Sequence, residues 1–461
     1  MRTAIGRARR HWARFRGDSR GNVAVVLGFC AIGLVGAVGA AIDTSVAYNV
    51  KSRLGAAVDA AALAGARAFA SPDRDTDIEN FFHANFPDGY MGSILQPLEF
   101  VADSESRTVT VTARATIPTF FMRVLGRYST DISATTEATL SSRDVEVSLV
   151  LDITGSMAGQ RIVDLRAAAS ELVDIVVQDL QVPFHSKVAL APYSVAVNVG
   201  SYAGDLRGYY TNNTCTQPTD PTCRYYQFRR ASDNNWTTHE ISSCVTERTG
   251  PHAYTDEAPN LAPLGRNFPA PGTYNPCPSA TIMPLSSDKT ALHSAISGLQ
   301  PAGSTAGQIG IAWGWYLISP NFGYLWPVDS QPMEYGHINL GQEVLKVVVI
   351  MTDGEFNTVY YNGVLARDST SGSGSAAYHI NQDATNGNAY SQSAQLCAAM
   401  KAEGVIVYTV GLAISGSTNV TNLLNGCATS SDHVYLPETG TELKQAFRDI
   451  AVQVSNLRIS M

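Results

Sequence analysis

The stretch Val145–Met157, VEVSLVLDITGSM, decides how the chain is read. Its first part, Val145–Leu151, is a short, mainly apolar run bounded by turn-forming residues, the pattern of a buried strand. The run ends in Asp152, and hydroxyls follow at alternate positions, Thr154 and Ser156. Alternate residues of an extended chain point the same way, so one carboxylate and two hydroxyls converge where the strand gives way to a helix. Hard oxygen donors of this kind suit Mg²⁺, Mn²⁺ or Ca²⁺. Alone the pattern is weak, because Asp, Thr and Ser are also ordinary helix caps.

Further apolar runs follow at Lys187–Ala191, Leu345–Met351, Val405–Val410 and Val434–Leu436. Between them, Ile162, Leu165, Ala169, Leu172, Val173 and Val176 line one helix face, and Leu443, Phe447, Ile450, Val454 and Leu457 line another. Strands alternating with helices predict an α/β domain over residues 144–461, with a mostly parallel central sheet. The run at 345–351 delivers Asp353 at its C-terminal end, and Gly303-Ser304-Thr305 delivers Thr305 just before a helical stretch, Gln308–Leu317. The C-terminal strand ends of an open parallel sheet share the edge where ligands bind.

These residues resemble the von Willebrand factor A (VWA) family, whose metal-ion-dependent adhesion site combines D-x-S-x-S with a later Thr and a later Asp. The resemblance implies a Rossmann-like fold and a metal site at Asp152, Thr154, Ser156, Thr305 and Asp353. Thr154 stands where the family usually has Ser, which keeps the hydroxyl. Three neutral hydroxyls and two carboxylates leave a divalent ion able to accept a carboxylate from a partner protein, so binding rather than catalysis is expected. The nine histidines are scattered, with no H-E-x-x-H, P-loop or G-x-G-x-x-G. An exported metal-dependent hydrolase and a VWA module serving an ATPase are the rival readings.

Two long excursions interrupt the alternation. Residues from about 197 to 300 are rich in Tyr, Asn, Pro and Thr and hold four cysteines, which predicts an inserted subdomain. Asn357–Tyr390, full of Ser, Gly and Asn, reads as a mobile surface loop. Six of the seven cysteines lie between residues 215 and 427, an even number consistent with disulfides in an exported segment. Proximity favours Cys215–Cys223 with Cys244–Cys277, and Cys397 with Cys427.

The N-terminus has another character. Residues 1–22 carry seven arginines against Asp18, a net +6 that leaves −14 for the rest of a chain whose total is −8. An acidic bulk of this kind disfavours nucleic acid as a partner. Val23–Ile42 then runs for twenty residues without charge or proline, long enough to span the ~30 Å hydrocarbon core. A signal peptide would have a shorter apolar stretch, of about 7–15 residues. The arginines place the head in the cytoplasm and export the remainder. Small residues four apart, Gly33/Ala37 and Gly36/Ala40, form a face that another helix can approach. Cys30 fills space within the span. The Ala-rich Leu54–Ala70 continues as a helical stalk. A small α+β region to residue 143 holds an expected hairpin (Leu98–Val101 with Thr108–Ala113, turning at Asp103–Ser106), a turn at Phe120–Leu125 and a strand at Thr130–Thr139.

RGNVAVVLGF, the uncharged span, AIDTSVAYNVKSRLGAAVDAAALAGA and the closing QAFRDIAVQVSNLRIS resemble the TadG-like proteins of Tad/Flp pilus assembly in Gram-negative bacteria. The resemblance implies an inner-membrane, single-pass protein whose C-terminal domain, periplasmic or surface-exposed, assists pilus assembly or adhesion through pilus-assembly partners. Related TadE-like pseudopilins carry Glu five residues after a processing Gly. Counted from Gly21 that position is Val26, so cleavage is not expected. Two matches are set aside. GDSRG at 17–21 lacks the preceding strand of a hydrolase elbow. LPETG at 436–440 is followed by the amphipathic TELKQAF rather than the apolar tail of a sortase signal.

Overall fold

The computed structural model describes residues 22–69, 71, 73–103, 108–139, 143–182, 184–215, 223–270 and 275–458. The basic head and GDSRG lie outside them. The chain divides into two compact units, Met1–Leu140 and Ser141–Met461.

In the first unit, span and stalk form one continuous helix, α1 (Asn22–Arg67). It is the one helix among the described residues that is long and apolar enough to cross a membrane, judged by length and composition. Its N-terminal part leaves Val25, Leu27, Phe29 and Ile32 exposed. From Val50 onward the pattern becomes amphipathic: Val50, Leu54, Ala57, Val58, Ala61 and Ala62 are fully buried, at helical spacing. They pack on Ile78 and Phe82 of α2 (Arg74–Asn85) and on a four-stranded antiparallel sheet. Of that sheet, β1 (Ile94–Leu95) and β2 (Glu99–Asp103) pair with opposite ends of β3 (Thr108–Pro118), and β4 (Ser129–Thr139) pairs along its whole length. β3 alternates as the period-2 rule requires, burying Val109, Val111, Ala113, Ala115 and Ile117 on the helix side. The expected hairpin forms from Glu99↔Thr112 to Asp103↔Thr108. Its tip, residues 104–107, lies outside the described residues.

The second unit is built on a six-stranded sheet: β5 (Val145–Asp152), β6 (Ser186–Tyr193), β7 (Met283–Ser286), β8 (Leu345–Thr352), β9 (Ile406–Gly411) and β10 (Val434–Tyr435), in the spatial order β7-β6-β5-β8-β9-β10. Counted along the chain the order is 3-2-1-4-5-6, the doubly wound arrangement, and its direction reverses between β5 and β8. The sheet is mixed, where a mostly parallel one was expected. β7 runs antiparallel to β6, while β6, β5, β8, β9 and β10 pair in parallel. β7 escaped the sequence reading because its MPLS carries a proline and a single fully buried apolar side chain, Leu285, as an edge strand tolerates.

Helices cover both faces. Leu165, Ala169 and Leu172 of α3 (Gln160–Val176), Leu292 and Ile296 of α4 (Lys289–Ser297), and Leu443, Phe447 and Ile450 of α8 (Gly440–Arg458) pack with Val147, Leu149 and Val349 on one side. On the other, Ile309 and Trp313 of α5 (Gly307–Tyr316) and Leu396 and Met400 of α6 (Ala389–Ala402) pack with Val150, Val348 and Ile350. α5 is buried on every side, and two glycines let it lie close to the sheet: a Cβ on Gly310 would meet the Tyr193 ring, and one on Gly314 would meet Val150.

Residues 283–297, placed within the insertion on sequence grounds, belong instead to the central sheet and helix layer as β7 and α4. The remainder forms two three-stranded sheets, one of Thr211–Cys215, Cys223–Arg229 and Trp236–Glu240, the other of Val197–Asn198, Cys244–Thr246 and Gly265–Arg266. Asn357–Tyr390 is a packed segment rather than a surface loop. It contains a short hairpin, Tyr360–Tyr361 with Val364–Leu365, and its Val364 and Ile380 join Tyr226, Phe228 and Phe268 of the insertion in one buried cluster. Disulfides link Cys244 to Cys277 and Cys397 to Cys427. Cys427 ends helix α7 (Thr418–Cys427). The expected Cys215–Cys223 pairing rests on a side chain outside those described. Cys30 is free and exposed.

Candidate functional site

β5 and β8 lie side by side in parallel, so their C-terminal ends bring Asp152 and Asp353 to the reversal point of the strand order, where an open α/β sheet has its crevice. Asp152 is fully buried and Asp353 is 6% exposed. Asp152 Oδ1 accepts from the Thr154 backbone N–H at 2.9 Å. Its Oδ2 accepts from the Tyr193 hydroxyl at 3.0 Å and from the Thr352 hydroxyl at 2.9 Å. The Thr154 and Ser156 hydroxyls are 2.9 Å apart, and Ser156 Oγ donates to Asp353 Oδ1 at 2.6 Å. The other Asp353 oxygen, Oδ2, takes a 2.6 Å ion pair from Arg161 Nη1.

Four of the five residues singled out from sequence are thus joined by direct hydrogen bonds. Thr305 is tied in through its backbone. Ala302 N–H donates to the Ile153 carbonyl and Gly155 N–H to the Gly303 carbonyl, each at 2.9 Å. Thr305 N–H donates to Asn357 Oδ1 at 2.9 Å, while its carbonyl accepts from the N–H groups of Asn357 and Thr358. The loop 302–306 is therefore clamped between the turns that follow β5 and β8.

The electrostatics follow from the burial. Desolvation, and next the charge of Asp353, push the Asp152 carboxyl up to about 6. Burial and the Asp152 charge hold the Tyr193 hydroxyl well above its ordinary value. Asp152 has three neutral donors and no basic side chain on its oxygens, while Arg161 donates to Asp353 and to the Ser156 carbonyl. Two buried carboxylates, with three hydroxyls around them, form a donor set that a small hard cation fits. Among the described residues no three His, Cys, Asp or Glu side chains gather to hold a metal. Any ion here would rely on hydroxyl oxygens for much of its coordination.

Tyr193, Thr352, Arg161 and Asn357 were missed from sequence. Tyr193 and Thr352 each close a strand at the same sheet edge as Asp152, so the strand-end rule that picked Asp353 would have found them once the strands were extended by one or two residues. Arg161 and Asn357 carry no such signal.

Comparison with known proteins gives a match over residues 21–68 to the family described as putative Flp pilus-assembly TadE/G-like. No curated protein matches the sequence. Solved structures similar to the chain include the pilus adhesin SpaC of Lactobacillus rhamnosus GG, at 11% identity and TM-score 0.36, covering 79% of this chain and 35% of that one. They also include the vWF domain of the type V pili tip protein Mfa5 of Porphyromonas gingivalis, at 13% identity and TM-score 0.37, covering 69% of this chain and 97% of that one. A third is the pilus adhesin RrgA of Streptococcus pneumoniae, at 10% identity and TM-score 0.37, covering 78% of this chain and 49% of that one. The chain spans about a third of the length of SpaC. The matched residues, 21–68, enclose the whole of α1.

Proposed function

We propose that the chain is a membrane-anchored, exported VWA-type protein that assists Tad/Flp pilus assembly or adhesion by binding a protein partner through a divalent cation, Mg²⁺ or else Mn²⁺ or Ca²⁺. The TadE/G-like match and the long apolar helix support the pilus-related, membrane-anchored part of the reading. The observation that carries the binding part is the pair of buried carboxylates, Asp152 and Asp353, linked through Thr154 and Ser156 at the strand-order reversal.

In this reading Ser156, Thr154, Thr305 and Asp353 supply oxygens to the ion. Asp152 supplies charge and holds Thr154, Thr352 and Tyr193 in place. A bound cation offers an electrophilic position that a partner's carboxylate can fill. The residues themselves bind and orient, and among the described residues no histidine has a hydrogen bond or ion pair to any of the five, so binding rather than hydrolysis is the favoured role.

Thermal unfolding with and without Mg²⁺ tests this. At ~100 times its dissociation constant the ion adds about 2.7 kcal/mol to the wild type by linkage, raising Tm. Asp152→Ala loses that response while staying folded, because removing one of two opposed buried carboxylates relieves repulsion. An equal Mg²⁺ response in both proteins would reduce the constellation to turn and cap residues.

A further inference from the structure

The turn Phe120–Leu125 in the first unit is apolar and turned outward. Phe120 is 80% exposed, Val124 84% and Leu125 68%. Packing within the unit does not cover Phe120, Val124 or Leu125, and a contiguous apolar surface of this kind marks a contact with something else.

The turn is held firmly against α1. The Asp43 carboxylate accepts from three successive backbone N–H groups, Phe120 at 3.1 Å, Phe121 at 2.9 Å and Met122 at 2.8 Å. One helical turn earlier, Gly39 leaves the room that Phe121 fills: a Cβ there would collide with the Phe121 side chain. Val124 and Leu125 then face Ala31, Ile32, Val35 and Gly36 across a shallow apolar groove. These helix residues belong to the uncharged span, and Gly36 lies six residues before its end at Ile42, about 9 Å along the axis.

We infer that the Phe120–Leu125 turn is a second membrane-contacting element, which inserts Phe120, Val124 and Leu125 among the lipid chains of the leaflet that α1 enters beside Asp43. The inference rests on reading α1 as a membrane span. That depth matches the roughly 5–10 Å at which amphipathic segments settle at the boundary of headgroups and acyl chains. Backbone entering an apolar layer must have its donors satisfied. Here the first three are taken by Asp43, and those of Val124, Gly126 and Arg127 by the carbonyls of Phe121, Arg123 and Met122. Exposed Arg123 and Arg127 flank the apolar tip and can extend to lipid phosphates, and Tyr128, 68% exposed, suits the interfacial aromatic layer. Gly36, part of the small-residue face of the span, and Gly39 are therefore used within the chain.

The test uses the full chain in phosphatidylcholine–phosphatidylglycerol vesicles. Val124→Cys in a Cys30→Ser background is labelled with an environment-sensitive fluorophore without reduction, and a parallel sample is labelled at native Cys30. The expected result is loss of Val124 emission with nitroxide-labelled lipid and none with aqueous iodide. Iodide quenching at position 124 with lipid quenching at Cys30 overturns the inference and leaves the anchor intact. Protection of position 124 from both quenchers assigns the surface to a protein and likewise overturns it. Iodide quenching at Cys30 removes the span itself, and the inference with it.

Discussion

Arg161 is the basic group on the candidate site, and its role is separable from that of the acids. Its guanidinium neutralises Asp353 at 2.6 Å, so it competes with any cation for that oxygen. The Arg161 side chain is 42% exposed, and pairs of that kind are worth about 1 kcal/mol or less. Arg161→Gln should therefore tighten Mg²⁺ binding by about two- to fivefold, read by calorimetric titration; weaker binding would make Arg161 a supporter of the site. A second residue-scale prediction concerns Glu247. It is buried, and desolvation pushes its carboxyl up to about 7 even though Tyr360 N–H and the Gln308 amide donate to it. The folded state therefore keeps a proton that the unfolded state releases near 4.5, and stability falls as pH rises from about 4.5 to 7. The total is on the order of 3 kcal/mol. Glu247→Gln should gain on the wild type between pH 5 and pH 8 in urea unfolding, and a constant difference across that range would contradict the assignment. Of these residues only the five with D-x-T-x-S, Thr and Asp spacing were visible in the sequence. Arg161 and Glu247 act through neighbours brought close by folding, such as Asp353, which is 192 residues from Arg161.

At the scale of elements, α5 presses on the site from behind. Gly310 faces the Tyr193 ring, where an added Cβ would lie only 2.5 Å from the nearest ring carbons, and Tyr193 in turn bonds Asp152. Gly310→Ala forces either helix or ring to move, at a cost of about 1–3 kcal/mol. It should also weaken the Mg²⁺ response in thermal unfolding, whereas a purely local cost would lower Tm and leave that response unchanged. The Cys397–Cys427 bond clips α6 to α7 across a separation of 30 residues, which chain entropy values at about 3–4 kcal/mol. Replacing both cysteines with Ser should lower unfolding stability by that order. β5, β6, β8 and β9 were readable as apolar runs because central strands are buried on both faces. β7 and the packed segment 357–390 were not, since an edge strand and a segment buried by long-range contacts carry no local periodicity.

Across the whole molecule, two units with separate cores follow one another along the chain, an α1-centred unit and a doubly wound sheet. The division between an arginine-rich head, an apolar span and an acidic remainder was plain from charge alone. The internal order of the insertion was not, because its short strands pair only within the tertiary structure. If the arginines hold the head inside, protease added to spheroplasts cleaves the second unit and spares a tag at the N-terminus; a protected second unit would overturn the exported reading. The most direct test of the account is Mn²⁺ uptake followed by electron paramagnetic resonance on the full chain. The wild type is expected to show a saturable site that Mg²⁺ displaces and that Asp152→Ala abolishes. Equal uptake by the two proteins, or none by the wild type, would contradict it.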